Sequence, residues 1–166
     1  LTVVYNFVDA LSHAKTDTEV VRELASDDSA YRRLVKTWLE GSPLLKMLQW
    51  ASKQGFTVVL TTDHGTVNVH RPSKVVGTKH LTTNLRYKTG NGMSYQSKHS
   101  FVVKDPSVIG LPKQHIADEC IFALSDLFYV YPNRYNHFVQ YYRNTYQHGG
   151  VSLEELIIPY AVLTSK

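Results

Sequence analysis

Cysteine is almost missing from this chain: Cys120 is the only one in 166 residues, so no internal disulfide can staple the fold. Sparse cysteine also fits a reducing compartment, and a cytoplasmic location is expected. Long apolar runs are missing too. None approaches the roughly 20 residues that a helical span needs, so a membrane is not expected among its partners. No signal peptide, internal repeat, low-complexity tract or linker interrupts the sequence. An initiating Met is likewise absent, and Leu1-Thr2-Val3-Val4-Tyr5 starts at once with an apolar run. That start reads as a cut through a larger protein.

What is present is enough for a core. Hydrophobic residues make up 43% of the chain, and a chain of this size closes one core without staples. A single domain over residues 1–166 is expected. The net charge of +4 favours an anionic partner, either a phosphorylated substrate or nucleic acid. The basic residues are scattered apart from Lys74, Lys79, His80, Arg86 and Lys88.

Periodicity predicts an α/β order of elements. Thr2 to Val8 is β-branched and aromatic, and reads as a buried strand of a mainly parallel sheet ending at Asp9. Thr16 and Glu19 have capping-box spacing for a helix start. Tyr31, Leu34, Val35, Trp38 and Leu39 mark one helical face, with a stop near Gly41. Ser42-Pro43 supplies an N-cap and a first-turn proline for a further helix carrying Leu44, Met47, Leu48 and Ala51, which ends near Gly55. The aromatic and Met residues of these helices are expected in the core. Phe56 to Thr61 reads as the next parallel strand. Arg71 to Gly92 lacks sustained periodicity and reads as an excursion or lid. Ser100 to Val103 reads as a strand, and Ile116, Cys120, Ala123 and Leu127 fit a helix face, although Leu127 to Tyr131 also fits the start of a strand. Asn136 to Tyr146 is ambiguous. Leu156 to Thr164 closes as a strand in which Pro159 marks an edge or a beginning.

The carboxylates and imidazoles fall where strands end. Asp9 closes the first expected strand and Asp63-His64-Gly65 the next, and ligand sites in open parallel sheets lie outside the carboxyl ends of strands. His13 follows Asp9 by four residues, which puts both on one face if a helix begins there. Asp and His together suit zinc. Asp63 and His64 are neighbours that a strand would send to opposite faces; Gly65 eases the departure from the strand. His148 precedes Gly149-Gly150, a pair that permits close backbone approach. His70, His80, His99, His115 and His137 read as surface or hydrogen-bonded histidines. Cys120 reads as a small buried hydrophobe, and Tyr141, Tyr142 and Arg143 as packing residues.

Asp9-x-x-x-His13, Thr62-Asp63-His64-Gly65 and His148-Gly149-Gly150 with Ser152 and Glu155 occur in the order used by the alkaline phosphatase superfamily, and the chain resembles its PglZ branch. The runs Thr61 to Thr66, Thr83 to Lys88 and Gln147 to Glu155 are similar in particular to the PglZ effector half of PorX-type response regulators, which are associated with type IX secretion. The resemblance implies an alkaline-phosphatase-like fold, a mainly parallel sheet flanked by helices, of which this chain is the C-terminal part. It implies two divalent metal ions, zinc or else manganese. Asp9, His13 and His148 would hold one, and Asp63 and His64 the other. It also implies a Ser or Thr nucleophile and one further Asp upstream of Asp9, so this chain alone is expected to be a poor catalyst.

The function so implied is metal-dependent phosphoester hydrolysis, by a phosphodiesterase or phosphatase acting on nucleotides or oligonucleotides, within the effector part of a response regulator. Two dications roughly 4 Å apart activate the attacking oxygen and stabilise the leaving one. Arg86, Lys88 and Lys79 are candidates for contacts to the phosphate oxygens or a nucleotide backbone. Glu155 is a candidate for orienting a ligand histidine. A homodimer formed through the parent protein and secretion-regulating partner proteins are the expected assemblies. The competing reading is a regulatory interaction module whose metal site is structural or vestigial.

Overall fold

The computed structural model describes residues 1–77 and 81–165. Helices α1 (Phe7–Asp17), α2 (Glu19–Leu24), α3 (Asp28–Gly41) and α4 (Pro43–Lys53) precede strand β1 (Val58–Thr61). Strands β2 (Val67–Val69), β3 (Arg71–Val76), β4 (Tyr87–Gly90), β5 (Ser94–Tyr95), β6 (Ser100–Val103), β7 (Glu119–Ala123) and β8 (Leu127–Val130) follow. Helix α5 (Tyr135–Tyr142), strand β9 (Thr145–Gln147), helix α6 (Leu153–Leu156) and strand β10 (Tyr160–Leu163) come last. Among the described residues no helix is long and apolar enough to cross a membrane. The chain forms two compact units, one built from Leu1–Asp63 and the stretch from Ile158, the other from His64–Ile157.

The first unit is helical with a two-stranded ladder. Asp27 caps α3 by accepting from the Ala30 amide at 2.7 Å, and Ser42 caps α4 by accepting from Leu45 at 3.3 Å. These caps satisfy N–H groups that a helix start leaves without partners. The predicted α3 face is the half-buried one: Tyr31, Leu34, Val35, Trp38 and Leu39 are all partly covered while their neighbours face solvent. Residues 1–6 are not a strand, contrary to expectation, and Phe7 opens α1. The reason is tertiary. The Phe7 ring stacks on Trp38 at 4.1 Å between centroids, and Tyr5 meets the same indole edge-on at 6.1 Å. Packing of this kind overrides the β-propensity of the run. Strand β1 appears as predicted but pairs antiparallel with β10, Thr61 opposite Tyr160. Strand β10 begins directly after Pro159, a residue that cannot donate to a ladder.

Among its described residues the second unit carries three small sheets, ordered β2-β9, β5-β3-β8 and β4-β7-β6. Strand β8 organises its cores. Phe128 and Val130 pack with Val67, Val69 and Val139, whereas Leu127 and Tyr129 pack with Val75, Ile121 and Ala123. Alternate residues of a strand point to opposite faces, so one four-residue strand feeds two clusters. The expected helix through Cys120, Ala123 and Leu127 is two strands, β7 and β8, separated by a turn in which Ser125 has φ +48°. A three-then-four spacing over so short a run does not separate a helix face from two buried strands.

The expectation of a mainly parallel sheet is met in one pair, β3 with β8; the other pairings among the described strands are antiparallel. Parallel pairing needs a long crossover, and the stretch between β3 and β8 provides one. The expected excursion over Arg71 to Gly92 holds β3 and β4 rather than an irregular lid. Its residues Thr78, Lys79 and His80 lie outside the described residues.

Candidate functional site

In the first unit, α1 does what the four-residue spacing predicts. The His13 Nε2 lies 3.6 Å from an Asp9 carboxylate oxygen, and the two side chains are 64% and 48% exposed. Residues four apart on a helix are neighbours on its surface, so imidazole and carboxylate are presented to solvent together. Asp63 follows the end of β1, exposed, with the Thr62 hydroxyl donating to its carboxylate at 3.4 Å.

In the second unit, the β2–β9 ladder brings two histidines together. Val67 stands opposite Gln147, and in an antiparallel pair the residues before one partner meet those after the other. His64 and His148 therefore arrive at the same end of the ladder. Their rings stack with centroids 3.9 Å apart and planes 15° from parallel, both half-buried. The His64 Nδ1 lies 3.0 Å from the Gly65 carbonyl. A carbonyl only accepts, so in this contact Nδ1 is the donor. That is the usual way a protein presents a histidine to a metal.

The loops bearing these histidines converge on one buried ion pair. Arg86 is fully buried and donates from Nε and Nη2 to the two Glu155 oxygens, each at 2.8 Å. Nη1 also donates to the Leu127 carbonyl and Nη2 to that of Ala123. Burial pushes the Glu155 carboxyl up, but the Arg86 hydrogen bonds and charge, with the amides of Gly150 and Ser152, outweigh it and leave the group below its ordinary value. Those amides donate to Glu155 at 2.9 and 3.1 Å.

This corrects the expected phosphate contacts of Arg86 and Lys88. Arg86 is not a loop cation awaiting phosphate, because its guanidinium is wholly enclosed and engaged. Lys88 is 1% exposed, donates to the Thr82 carbonyl at 2.8 Å and stands 4.6 Å from the Tyr131 ring centroid. Burial lowers its pKa from 10.5 to about 8. The Glu155 carboxylate meets Arg86 and the amides of Gly150 and Ser152, in the loop that follows His148. Lys79, the third candidate cation, lies outside the described residues.

Sequence reading gave no role to Asn84. Its side chain accepts from the amides of Arg86 and Tyr87 at 2.7 and 3.2 Å and donates to the His148 carbonyl at 3.3 Å. Its place in the run Thr83 to Lys88 was the only hint. A cavity of about 620 Å³ opens beside this turn, lined by Thr82, Tyr87, Asn91, Phe122 and Gly149 among others. Cys120 is fully buried on β7, where burial pushes its thiol pKa up. Outside the motifs, His70 meets Asn144 at 2.8 Å and His99 meets Ser73 at 3.1 Å.

The model of the BREX system PglZ alkaline phosphatase-like domain matches residues 1–164. The chain belongs to the PglZ family. This PglZ domain thus has an alkaline-phosphatase-like assignment, mixed α/β content and small sheets. No curated protein matches it.

Proposed function

We propose that this PglZ domain is a metal-dependent phosphoester hydrolase acting on phosphorylated or nucleotide substrates, with Asp9, His13, Asp63, His64 and His148 as its metal ligands. The observation that carries the reading is the His64–His148 pair, with the Nδ1 of His64 committed to a carbonyl. The donor set fits the group: carboxylate oxygens and imidazole nitrogens are what zinc accepts, and manganese accepts them too. Two such dications, when bound, supply positive charge for the phosphoryl oxygens and activate an attacking oxygen. The work of the chain is positioning. Helix α1 offers Asp9 and His13 from one face, Asp63 follows β1, and the β2–β9 ladder fixes the two rings. From the similarity of the runs Thr61 to Thr66, Thr83 to Lys88 and Gln147 to Glu155 we further assign the domain to the effector part of a PorX-type response regulator. A homodimer of the parent protein and secretion-regulating partners would then read its state.

Elemental analysis of protein purified without chelator tests the reading. Zinc or manganese is expected in the wild type, and its loss in an Asp9→Ala, His148→Ala variant. Absence of metal after reconstitution with zinc would overturn it in favour of a regulatory docking module.

A further inference from the structure

We infer that the buried Arg86–Glu155 pair is a positioning device for the two histidines, a single clamp that sets the loops of His64 and His148 at once. The inference deepens the metal-ligand reading and rests on it for its functional meaning, but its geometry stands within the second unit alone.

Glu155 reaches both loops through different atoms. Its backbone carbonyl accepts from the Gly65 amide at 2.9 Å, one residue after His64. Its Oε1 accepts from the Gly150 amide at 2.9 Å, two residues after His148. Arg86 then fixes the carboxylate by a bidentate bond, a planar match that lysine cannot reproduce. Asn84, two residues before Arg86, holds the His148 carbonyl. So the chain leaving His148 is held twice, at the His148 carbonyl and at the Gly150 amide. The fit leaves no room for a side chain at either loop. A Cβ on Gly65 would stand 2.0 Å from the Glu154 carbonyl oxygen, and one on Gly150 would stand 2.6 Å from Glu155 Oε2 and 2.9 Å from Arg86 Nη2. Backbone approach this close is the reason these positions are glycine.

A pair that served stability alone could sit anywhere in the core. This one bonds to the chain immediately following each histidine, and outer partners of this kind commonly change metal affinity roughly 10–100-fold when removed. Arg71–Asp126 provides the contrast, an ion pair in the same unit with no bond to either histidine loop.

The test uses the whole chain, with zinc alone as the probe. Two readouts are needed: the nuclear Overhauser effect between the His64 and His148 rings without metal, and zinc affinity by calorimetry. In an Arg86→Met, Glu155→Gln double variant no charge is left unpaired. The expected result is a folded chain whose two rings no longer show the Overhauser effect and which binds zinc roughly 10–100-fold more weakly. Arg71→Met should change neither. If the double variant does not fold, Arg86→Lys decides: it keeps the charge but not the bidentate bond, and a weakened Overhauser effect is expected. An unchanged effect in a folded variant overturns the clamp. Wild-type protein whose rings show the effect but which binds no zinc overturns the metal reading instead, and the clamp is then still decided by the ring-to-ring effect in the variants.

Discussion

The two units present their candidate ligands in opposite ways. On α1, Asp9 and His13 are exposed, 48% and 64%, and helical spacing sets them side by side. In the second unit, His64 and His148 are half-buried, stacked, and backed by a fully buried ion pair and several backbone bonds. The difference separates what a local pattern can specify from what a fold must build. A helix places residues four apart side by side at no further cost. Bringing His64 to His148, 84 positions later in the chain, takes a ladder, two glycines and a buried charge pair.

The contrast is broken most strongly at Glu155. Glu155→Ala leaves the Arg86 guanidinium buried without its carboxylate, and a loss of about 3–5 kcal/mol in unfolding free energy is expected by denaturant titration. A loss below about 1 kcal/mol would mean that the pair is not enclosed as described. Next comes Gly65→Ala, whose methyl would meet the Glu154 carbonyl oxygen. We expect roughly 2–3 kcal/mol of destabilisation, with His148 ring signals perturbed along with those of His64.

Lys88 sharpens the comparison through pH. Its folded pKa, about 8, lies below the ordinary 10.5 because burial disfavours the charged form. Between those values the unfolded chain binds more protons than the folded one, so stability rises as pH is raised from about 8 toward 10. Lys88→Met should remove most of that slope and raise stability at pH 7 by about 1–2 kcal/mol. Thermal melts across this range check both, and a flat wild-type profile would contradict the burial. The smallest effect is expected on the exposed half: Asp9→Ala should cost about 0.5 kcal/mol or less, the share of a first-turn acid at a helix N-terminus, while zinc binding falls.

How much of this was legible in the sequence follows the same division. The α3 face, the Ser42-Pro43 start of α4, β6 and the end of β1 before Asp63 were readable, because periodicity and capping act within a few residues. The Asp9–His13 pair was readable for the same reason, although the strand expected before it is not there. Phe7 and Tyr5 answer to Trp38, some thirty residues on, and no local pattern carries that. The role of Arg86 was misread for a sharper reason. Its partner Glu155 is 69 residues away, and a basic residue among other basic residues looks like a surface. Only the enclosed geometry distinguishes a buried clamp from a phosphate contact.

The most direct measurement of the central claim is nitrogen-15 NMR of the histidine side chains during zinc titration of the intact chain. The geometry predicts that His64 and His148 respond together, that the His64 Nε2 signal takes the shift of a metal-bound nitrogen, and that its Nδ1 keeps its proton. Coordination through the His64 Nδ1, or saturation with zinc while both rings stay unchanged, would contradict it.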